Sequence, residues 1–232
     1  MLADRGLSTV YDLIVVGGGM AGASLARRMA VGGARVLVLE REMQFRDRVR
    51  GEALQPWGVA EARQLGVADL LEPRSAELRW FDQIVDGQHV MKRDFVATTP
   101  HGTGMWGFYH PEAQEILLAA AAATGAEVRR GATVRHATPG QPPKVTIQAG
   151  TQTAEIEARL VALCAGRNPV LRSQLGFKVR QGSIPLLLSG VWLRHLSSDV
   201  DHSVAYVANN LITGAVAALF PQRGSPATIA VA

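Results

Sequence analysis

Cysteine is almost absent from this chain, with Cys164 the single example in 232 residues. No disulfide can therefore form within the chain, and no cysteine-rich metal site can be built. This composition fits a reducing, cytoplasmic location, which we take as the expectation. The six histidines are not spaced four residues apart on a predicted helix, and no acid-rich cluster surrounds them. We therefore predict no metal site.

Long apolar runs and a strong charge excess are also missing. The longest apolar run, residues 116–123, is far too short to span a bilayer, and the first ten residues lack the pattern of a signal peptide. The net charge is only +4, and the densest arginine run, between Arg41 and Arg50, is interleaved with acids. We therefore expect no membrane span and no nucleic-acid partner. A serine hydrolase is also disfavoured, because no G-x-S-x-G motif occurs.

The most informative stretch runs from Tyr11 to Arg41 and reads YDLIVVGGGMAGASLARRMAVGGARVLVLER. Its first part, Leu13–Val16, is a short apolar run that predicts a buried parallel strand. A glycine triplet follows, then helix-forming residues over 21–30 and a second strand over 35–39. That strand ends on an acid. The order strand, turn, helix, strand and acid is typical of a dinucleotide-binding βαβ unit.

Each member of the glycine triplet has a physical reason to be there. Gly17 permits the tight turn off the strand, Gly19 lets the backbone approach a pyrophosphate, and Gly22 lets the helix pack closely on the strand. The start of the helix offers N–H groups and a positive dipole end to phosphates. Glu40 is placed to accept hydrogen bonds from an adenosine ribose. A glycine-rich βα turn that binds nothing is the alternative.

The rest of the chain predicts further helices and strands. Residues 77–95 predict two strands joined by a hairpin at Asp86-Gly87, and Trp106–Tyr109 predicts a strand that returns to the first domain. Pro111 predicts the start of a helix that Gly125 ends. The remaining predicted elements are a helix over 55–65 and strands over 127–130, 132–136, 144–149, 153–158, 159–164, 186–193, 202–208, 211–220 and 228–231. Of these, 159–164 reads as a separate, fully buried strand, and the last four as antiparallel strands.

Four segments together resemble the flavin-dependent monooxygenases and related oxidoreductases of the para-hydroxybenzoate hydroxylase type. They are the glycine triplet ending on Glu40-Arg41, RVRGEALQP, FYHPEAQEILLAAA and LVALCAGRNPVLRSQLG. The resemblance covers nearly the whole chain but only about the first half of a usual family member. It implies FAD as cofactor, NADH or NADPH as reductant, and hydroxylation or epoxidation of a small organic substrate. It names no catalytic acid or base, because the cofactor carries the hard chemistry.

The resemblance also implies a fold. The expected class is α/β: a Rossmann-like FAD-binding domain with a mostly antiparallel, incomplete substrate β-sheet domain. The FAD-binding domain is predicted to be discontinuous, built from residues 1–75 and 101–178, and the partial substrate domain from 76–100 and 179–232. A substrate sheet that ends early leaves an unpaired edge, so we expect self-association through it.

The same resemblance assigns cofactor contacts residue by residue. It implies that Gly17, Gly19, Met20 and Ala21 line the FAD pyrophosphate, with Gly22 as the glycine that lets the helix pack closely beside them. Glu40 contacts the adenosine ribose, and Arg41 and the Val134 backbone lie beside the adenine. Arg48 and Arg50 flank the flavin and its phosphates, Gln114 contacts the ribityl chain or a phosphate, and Ala165 and Gly166 belong to the pyrophosphate region. As alternatives, Arg48 and Arg50 are a solvated loop pair, and Gln114 is a surface helix residue.

Two departures from the family pattern keep other functions open. The usual Asp-Gly pair reads Ala165-Gly166 here, and the family's later Gly-Asp motif is absent. One alternative function is a related flavin-dependent halogenase or isoprenoid-type reductase, which Arg50-Gly51-Glu52 also resembles. Another is a plain NAD-dependent dehydrogenase, since Glu40 suits NAD equally well. The third is a non-catalytic, truncated flavin-binding module.

Overall fold

A computed structural model describes residues 11–48, 52–178, 180, 189–193, 201–207, 216–222 and 225–231. The chain forms two compact units, the first from Met1–Phe45 and Leu117–Gln181, the second from Arg46–Ile116 and Gly182–Ala232. Both units are therefore discontinuous in sequence. The domain boundaries given above stay a prediction.

The described strands are β1 Tyr11–Val16, β2 Val36–Glu40, β3 Ala53–Leu54, β4 Ala76–Leu78, β5 Trp80–Val85, β6 Gln88–Asp94, β7 Met105–Gly107, β8 Glu127–Arg130, β9 Thr133–Thr138, β10 Lys144–Ala149, β11 Gln152–Leu163, β12 Ser189–Leu193, β13 His202–Val207, β14 Val216–Gln222 and β15 Ser225–Val231. The described helices are α1 Met20–Val31, α2 Pro56–Gln64, α3 Ala68–Leu71, α4 Phe95–Thr98, α5 His110–Ala123 and α6 Val170–Gln174, with a 3-10 turn at Glu72–Arg74. Among these described helices, none is long and apolar enough to cross a bilayer.

The sheet of the first unit has the strand order β8-β2-β1-β11-β10-β9. The first four strands are parallel, with Val15 of β1 opposite Val38 on one side and Ala162 on the other. β10 and β9 continue the sheet in antiparallel pairing. Every residue of β2 is buried, as expected of a parallel strand covered on both faces. This confirms the predicted Rossmann-like α/β class.

One long strand replaces two predicted ones. The predicted hairpin of 144–149 with 153–158 is confirmed, but the expectation of a separate, fully buried strand over 159–164 is wrong, because β11 is continuous. Its first half pairs with β10 and its second half with β1, so a single extended segment serves both parts of the sheet. The second half is also not fully buried, since Leu160 is 58% exposed. The apolar run therefore predicted the strand correctly but not how much of it is buried.

The second unit contains a six-stranded sheet in the order β12-β15-β14-β13-β5-β6. Its pairings are antiparallel except for β13 and β5, which are parallel with Ala205 opposite Gln83. The predicted hairpin is confirmed: Asp86 and Gly87 have φ values of 47° and 80°, as a type I′ turn requires. The four predicted late strands are present, although residues 186–188, 208 and 211–215 lie outside the described residues. The mostly antiparallel character of this sheet is confirmed.

A small three-stranded sheet, in the order β3-β7-β4, accompanies it. The predicted strand over Trp106–Tyr109 is present as β7, which pairs with β3 and β4, and its place in the first predicted domain stays a prediction. Two glycines make this position possible. A Cβ on Gly104 would lie 2.7 Å from the Leu78 carbonyl oxygen, and a Cβ on Gly107 would overlap the carbonyl of Pro221. Such close backbone approaches admit only glycine.

Candidate functional site

The glycine turn between β1 and α1 is packed against its neighbours so tightly that side chains are excluded. Gly17 has φ +101°, and a Cβ there would lie 2.5 Å from the carbonyl oxygen of Cys164. A Cβ on Gly22 would overlap the carbonyl oxygen of Gly17. The Gly17 N–H donates to the Leu39 carbonyl at 2.8 Å, which fixes the turn on β2. The turn therefore places the start of α1 directly at the carboxyl end of the sheet.

The N-terminus of α1 suits an anion. Gly19 is its N-cap with extended backbone, no described side chain caps the helix, and its first turn holds no acid. Its leading N–H groups, starting with Met20 and Ala21, are those that a helix leaves without an intrahelical partner. Together with the helix dipole they favour a negatively charged group such as a pyrophosphate. The glycine turn and this helix start therefore fit the diphosphate of a dinucleotide.

Glu40 closes the same end of the sheet with a buried carboxylate that is 6% exposed. One of its oxygens accepts the Gly18 N–H at 2.7 Å, and the other accepts the Glu42 N–H at 2.8 Å. These bonds hold the acid between the glycine turn and the following loop. A carboxylate has about four lone-pair sites, so it can still accept ribose hydroxyls. The sequence analysis missed the role of Gly18, whose only signal is its place inside the glycine run.

The other predicted contacts of the first unit lie nearby or on its strands. Arg41 follows Glu40 directly and forms an ion pair with Glu42 at 3.3 Å, with half of its side chain exposed. Val134 is half-buried on β9 and packs against the core of the sheet. The N-terminal end of β9 is tied to the end of β2, because Ala132 N–H donates to the Glu40 carbonyl at 3.1 Å.

Ala165 and Gly166 lie beside the glycine turn, as the predicted site requires. The Cys164 N–H donates to the Val16 carbonyl at 2.8 Å, and a Cβ on Gly17 would come within 3.3 Å of the Ala165 Cα. Gly166 has φ +62°, which turns the chain away from β11. Burial raises the pKa of the Cys164 thiol. Ala165 itself supplies a methyl group and no charge.

The candidates of the second unit are less complete. Arg48 is exposed, and Arg50 lies outside the described residues. Gln114 lies in the first turns of α5, where it is half-buried. Its expected place on the exposed face of the helix is therefore only partly correct. The structure brings the glycine turn, Glu40 and Ala165 together, and it describes Arg48 and Gln114 in the other unit.

The second unit contains a buried acid whose burial and partner were not predicted from the sequence. Glu52 is 5% exposed, and its carboxylate accepts a hydrogen bond from the Gln222 side-chain amide at 3.4 Å. Its backbone carbonyl accepts the Phe108 N–H at 3.0 Å. Burial and the charges of Asp47 and Glu52 raise the pKa of Tyr109. The sequence signal was its place in the Arg50-Gly51-Glu52 motif, which gave no hint of its burial. Over the part of the chain that the structure describes, no group of histidines, cysteines and acids is arranged to hold a metal ion.

The fold and the glycine site together are those of a dinucleotide-binding α/β protein. A family model described as "FAD binding domain" matches residues 10–230, almost the whole chain. The chain belongs to this FAD binding domain family. The match confirms the predicted relationship to FAD-dependent monooxygenases and oxidoreductases of the para-hydroxybenzoate hydroxylase type.

Three relatives illustrate the relationship. Squalene epoxidase ERG1 of Candida albicans is 30% identical over 99 residues, which are 40% of this chain and 20% of that protein. A 1H-pyrrole-2-carbonyl-(peptidyl-carrier protein) chlorinase of Pseudomonas fluorescens is 26% identical over 201 residues, covering 72% of this chain and 42% of that one. The structure of p-nitrophenol 4-monooxygenase from Pseudomonas putida superposes with a TM-score of 0.78 at 19% identity, covering 97% of this chain and 58% of that one. The chain thus spans less than two thirds of the length of each.

Proposed function

We propose that the protein is the FAD-binding part of an NAD(P)H-dependent monooxygenase that hydroxylates or epoxidises a small organic substrate. The balanced reaction takes substrate, O₂, NAD(P)H and a proton to oxygenated substrate, NAD(P)⁺ and water. The observation that carries the proposal is the geometry at the carboxyl end of β1 and β2. There the glycine turn, the uncapped start of α1 and the Glu40 carboxylate supply the groups that a dinucleotide needs. A squalene epoxidase and a monooxygenase among the relatives favour oxygen insertion.

Different residues of the first unit contact different parts of FAD in this proposal. Gly17, Gly19, Met20 and Ala21 hold the pyrophosphate, and Gly22 lets α1 pack closely enough to present them. Glu40 binds the ribose, Arg41 and the Val134 backbone the adenine, and Ala165-Gly166 lie beside the glycine turn. Arg48, Arg50 and Gln114 are proposed for the flavin side. Bound FAD supplies the redox chemistry with oxygen, while the protein binds, orients and excludes water.

A flavin-dependent halogenase is the second candidate function. The observation that favours it is the chlorinase relative, whose similarity extends over 72% of this chain. Halogenation and oxygenation share the FAD site and differ in the product. The buried Glu52 and its Gln222 partner belong to the second unit, which we propose contributes to the substrate side.

The first experiment is an absorbance spectrum of the purified chain with and without added FAD. Stoichiometric flavin bands would support the cofactor site, and a protein that stays colourless with excess FAD would refute it. Oxygen uptake with NADH and with NADPH then tests the reductant. Squalene and p-nitrophenol are suitable first substrates to test, because two of the relatives reported above are named as a squalene epoxidase and a p-nitrophenol 4-monooxygenase. A product mass increased by one oxygen supports the monooxygenase, and a chlorine isotope pattern supports the halogenase.

Self-association is proposed for the same chain, together with a reducing, cytoplasmic location. β6 lies at the end of its sheet with six of its seven residues exposed, which leaves a strand edge for pairing. Size-exclusion chromatography with light scattering should show dimers or larger species. A monomer across the accessible concentration range would contradict this proposal.

A further inference from the structure

An arginine holds the loop that follows β2. Arg130 is the last residue of β8 and lies opposite Glu40, the last residue of β2. Its guanidinium donates to the Met43 carbonyl at 3.1 Å and to the Glu42 carbonyl at 3.5 Å. The same guanidinium lies over the Phe45 ring, 5.0 Å from the centroid. One side chain therefore contacts three successive parts of the loop.

The Glu40 carboxylate holds the same loop from the other direction. It accepts the N–H of Glu42, whereas Arg130 donates to the carbonyl of Glu42 and of the next residue. Donor and acceptor sides of the loop backbone are thus both fixed by charged side chains. Bonds that involve an ionised partner are roughly twice as strong as neutral ones. Stacking of a guanidinium on an aromatic ring adds to them.

We infer that Arg130 is a positioning residue for the adenosine half of FAD. It fixes residues 41–45, which we call the 41–45 loop, so that Glu40 and Arg41 are presented in one geometry. The inference rests on the proposed FAD site, because that proposal places the adenosine at the end of β2. Arg130 acts through the loop and not by contact with the cofactor. Preorganising a binding loop increases affinity by reducing the ordering cost at the moment of binding.

The test compares Arg130→Met with the unmodified chain in two measurements. Methionine keeps an unbranched stem but removes the donors and the charge. Hydrogen exchange of peptides covering the 41–45 loop, without added ligand, should become about tenfold faster, and FAD should bind about tenfold more weakly by flavin fluorescence, the loss expected for hydrogen bonds to a charged group. Phe45→Leu should produce a smaller change in both, and the double variant should be less than additive because both contacts hold one loop.

Arg135→Met is the matched control. Arg135 lies exposed on the next strand in sequence, β9, and its guanidinium donates to the Gln148 side chain at 2.8 Å. It should leave both measurements unchanged. Equal loop exchange and equal FAD affinity in the Arg130 and Arg135 variants would overturn the inference. If the unmodified chain binds no FAD, the proposed function fails, whereas the exchange measurement still decides whether Arg130 fixes the loop.

Discussion

Replacing Gly17 by alanine should damage the first unit through the backbone. At this position the new Cβ would lie 2.5 Å from the Cys164 carbonyl oxygen and 3.0 Å from its carbon, whereas ordinary contacts begin at 3.4 Å. The turn and the end of β11 must therefore separate by about 0.9 Å. Both atoms belong to the backbone of Cys164, the residue after β11 whose N–H donates to Val16, so no flexible side chain can absorb the shift. The positive φ of Gly17 adds strain, because alanine rarely adopts it.

The magnitude follows from those two terms. Overpacking costs about 1–3 kcal/mol, and holding a non-glycine residue in this backbone region costs about as much. We therefore expect a loss of about 3 kcal/mol in the free energy of unfolding, read from urea denaturation. FAD binding should become undetectable by flavin fluorescence, because Ala165 and the turn move apart.

Gly18→Ala is the control from the same turn. Its Cβ would meet two methyl groups of Leu118 at 3.1 Å, and a side chain can move. The Gly18 N–H would still donate to Glu40. We expect a loss below about 1 kcal/mol and FAD binding within a few-fold of the unmodified chain. Equal stability losses in the two variants would refute the packing argument.

Three further predictions use the same protein. Glu40→Gln should weaken FAD binding at least about tenfold by fluorescence titration, because an amide has one acceptor oxygen for two backbone N–H groups; unchanged affinity would contradict the role of the carboxylate. Burial opposes ionisation of Glu127, but hydrogen bonds from Tyr11 at 2.5 Å and from Arg129 at 2.8 Å outweigh it and lower its pKa. Its contribution to stability is therefore present above the ordinary carboxyl pKa and is lost as pH falls through the lowered value. The urea midpoint of the unmodified chain should fall more steeply below about pH 4.5 than that of Glu127→Gln. Parallel pH profiles of the two proteins would count against this assignment. Cys164 is half-buried, and burial raises the pKa of its thiol, so its reaction with a disulfide reagent should be slow at pH 7 and accelerate above about pH 9. Rapid labelling at pH 7 would contradict the raised pKa.

The elements that the sequence predicted well are those specified by neighbouring residues. β1, the glycine turn, α1 and β2 follow one another within about thirty residues, and each is marked by an apolar run or a glycine. The Asp86-Gly87 hairpin is similar, since the turn type itself demands those residues. At the candidate site, Gly17, Gly22 and Glu40 could be proposed from the sequence because their spacing has a local physical reason.

What the sequence could not predict depends on distant partners. β7 is a short strand whose choice of sheet is decided by close contacts with Leu78 and Pro221. Glu52 and Gln222 form a buried pair although 170 positions separate them, and no periodic pattern signals such a contact. The contacts of Arg130 with the 41–45 loop likewise depend on β8 lying next to β2. Each of these features depends on contacts between residues that are far apart in the sequence.

The continuity of β11 fixes the distance between its pairing with β10 and the glycine turn. Its first half is held in register with β10, and its second half is held in register with β1. This pairing fixes the position at which Ala165 and Gly166 lie beside Gly17. Adding or removing one residue within Gln152–Leu163 would reverse the faces of all side chains beyond it and displace that meeting point by about 3.3 Å. Insertions and deletions are therefore tolerable at the Gly150 turn, which precedes β11, and not within β11 itself. Any engineered insertion that aims to keep a working flavin site belongs at that turn.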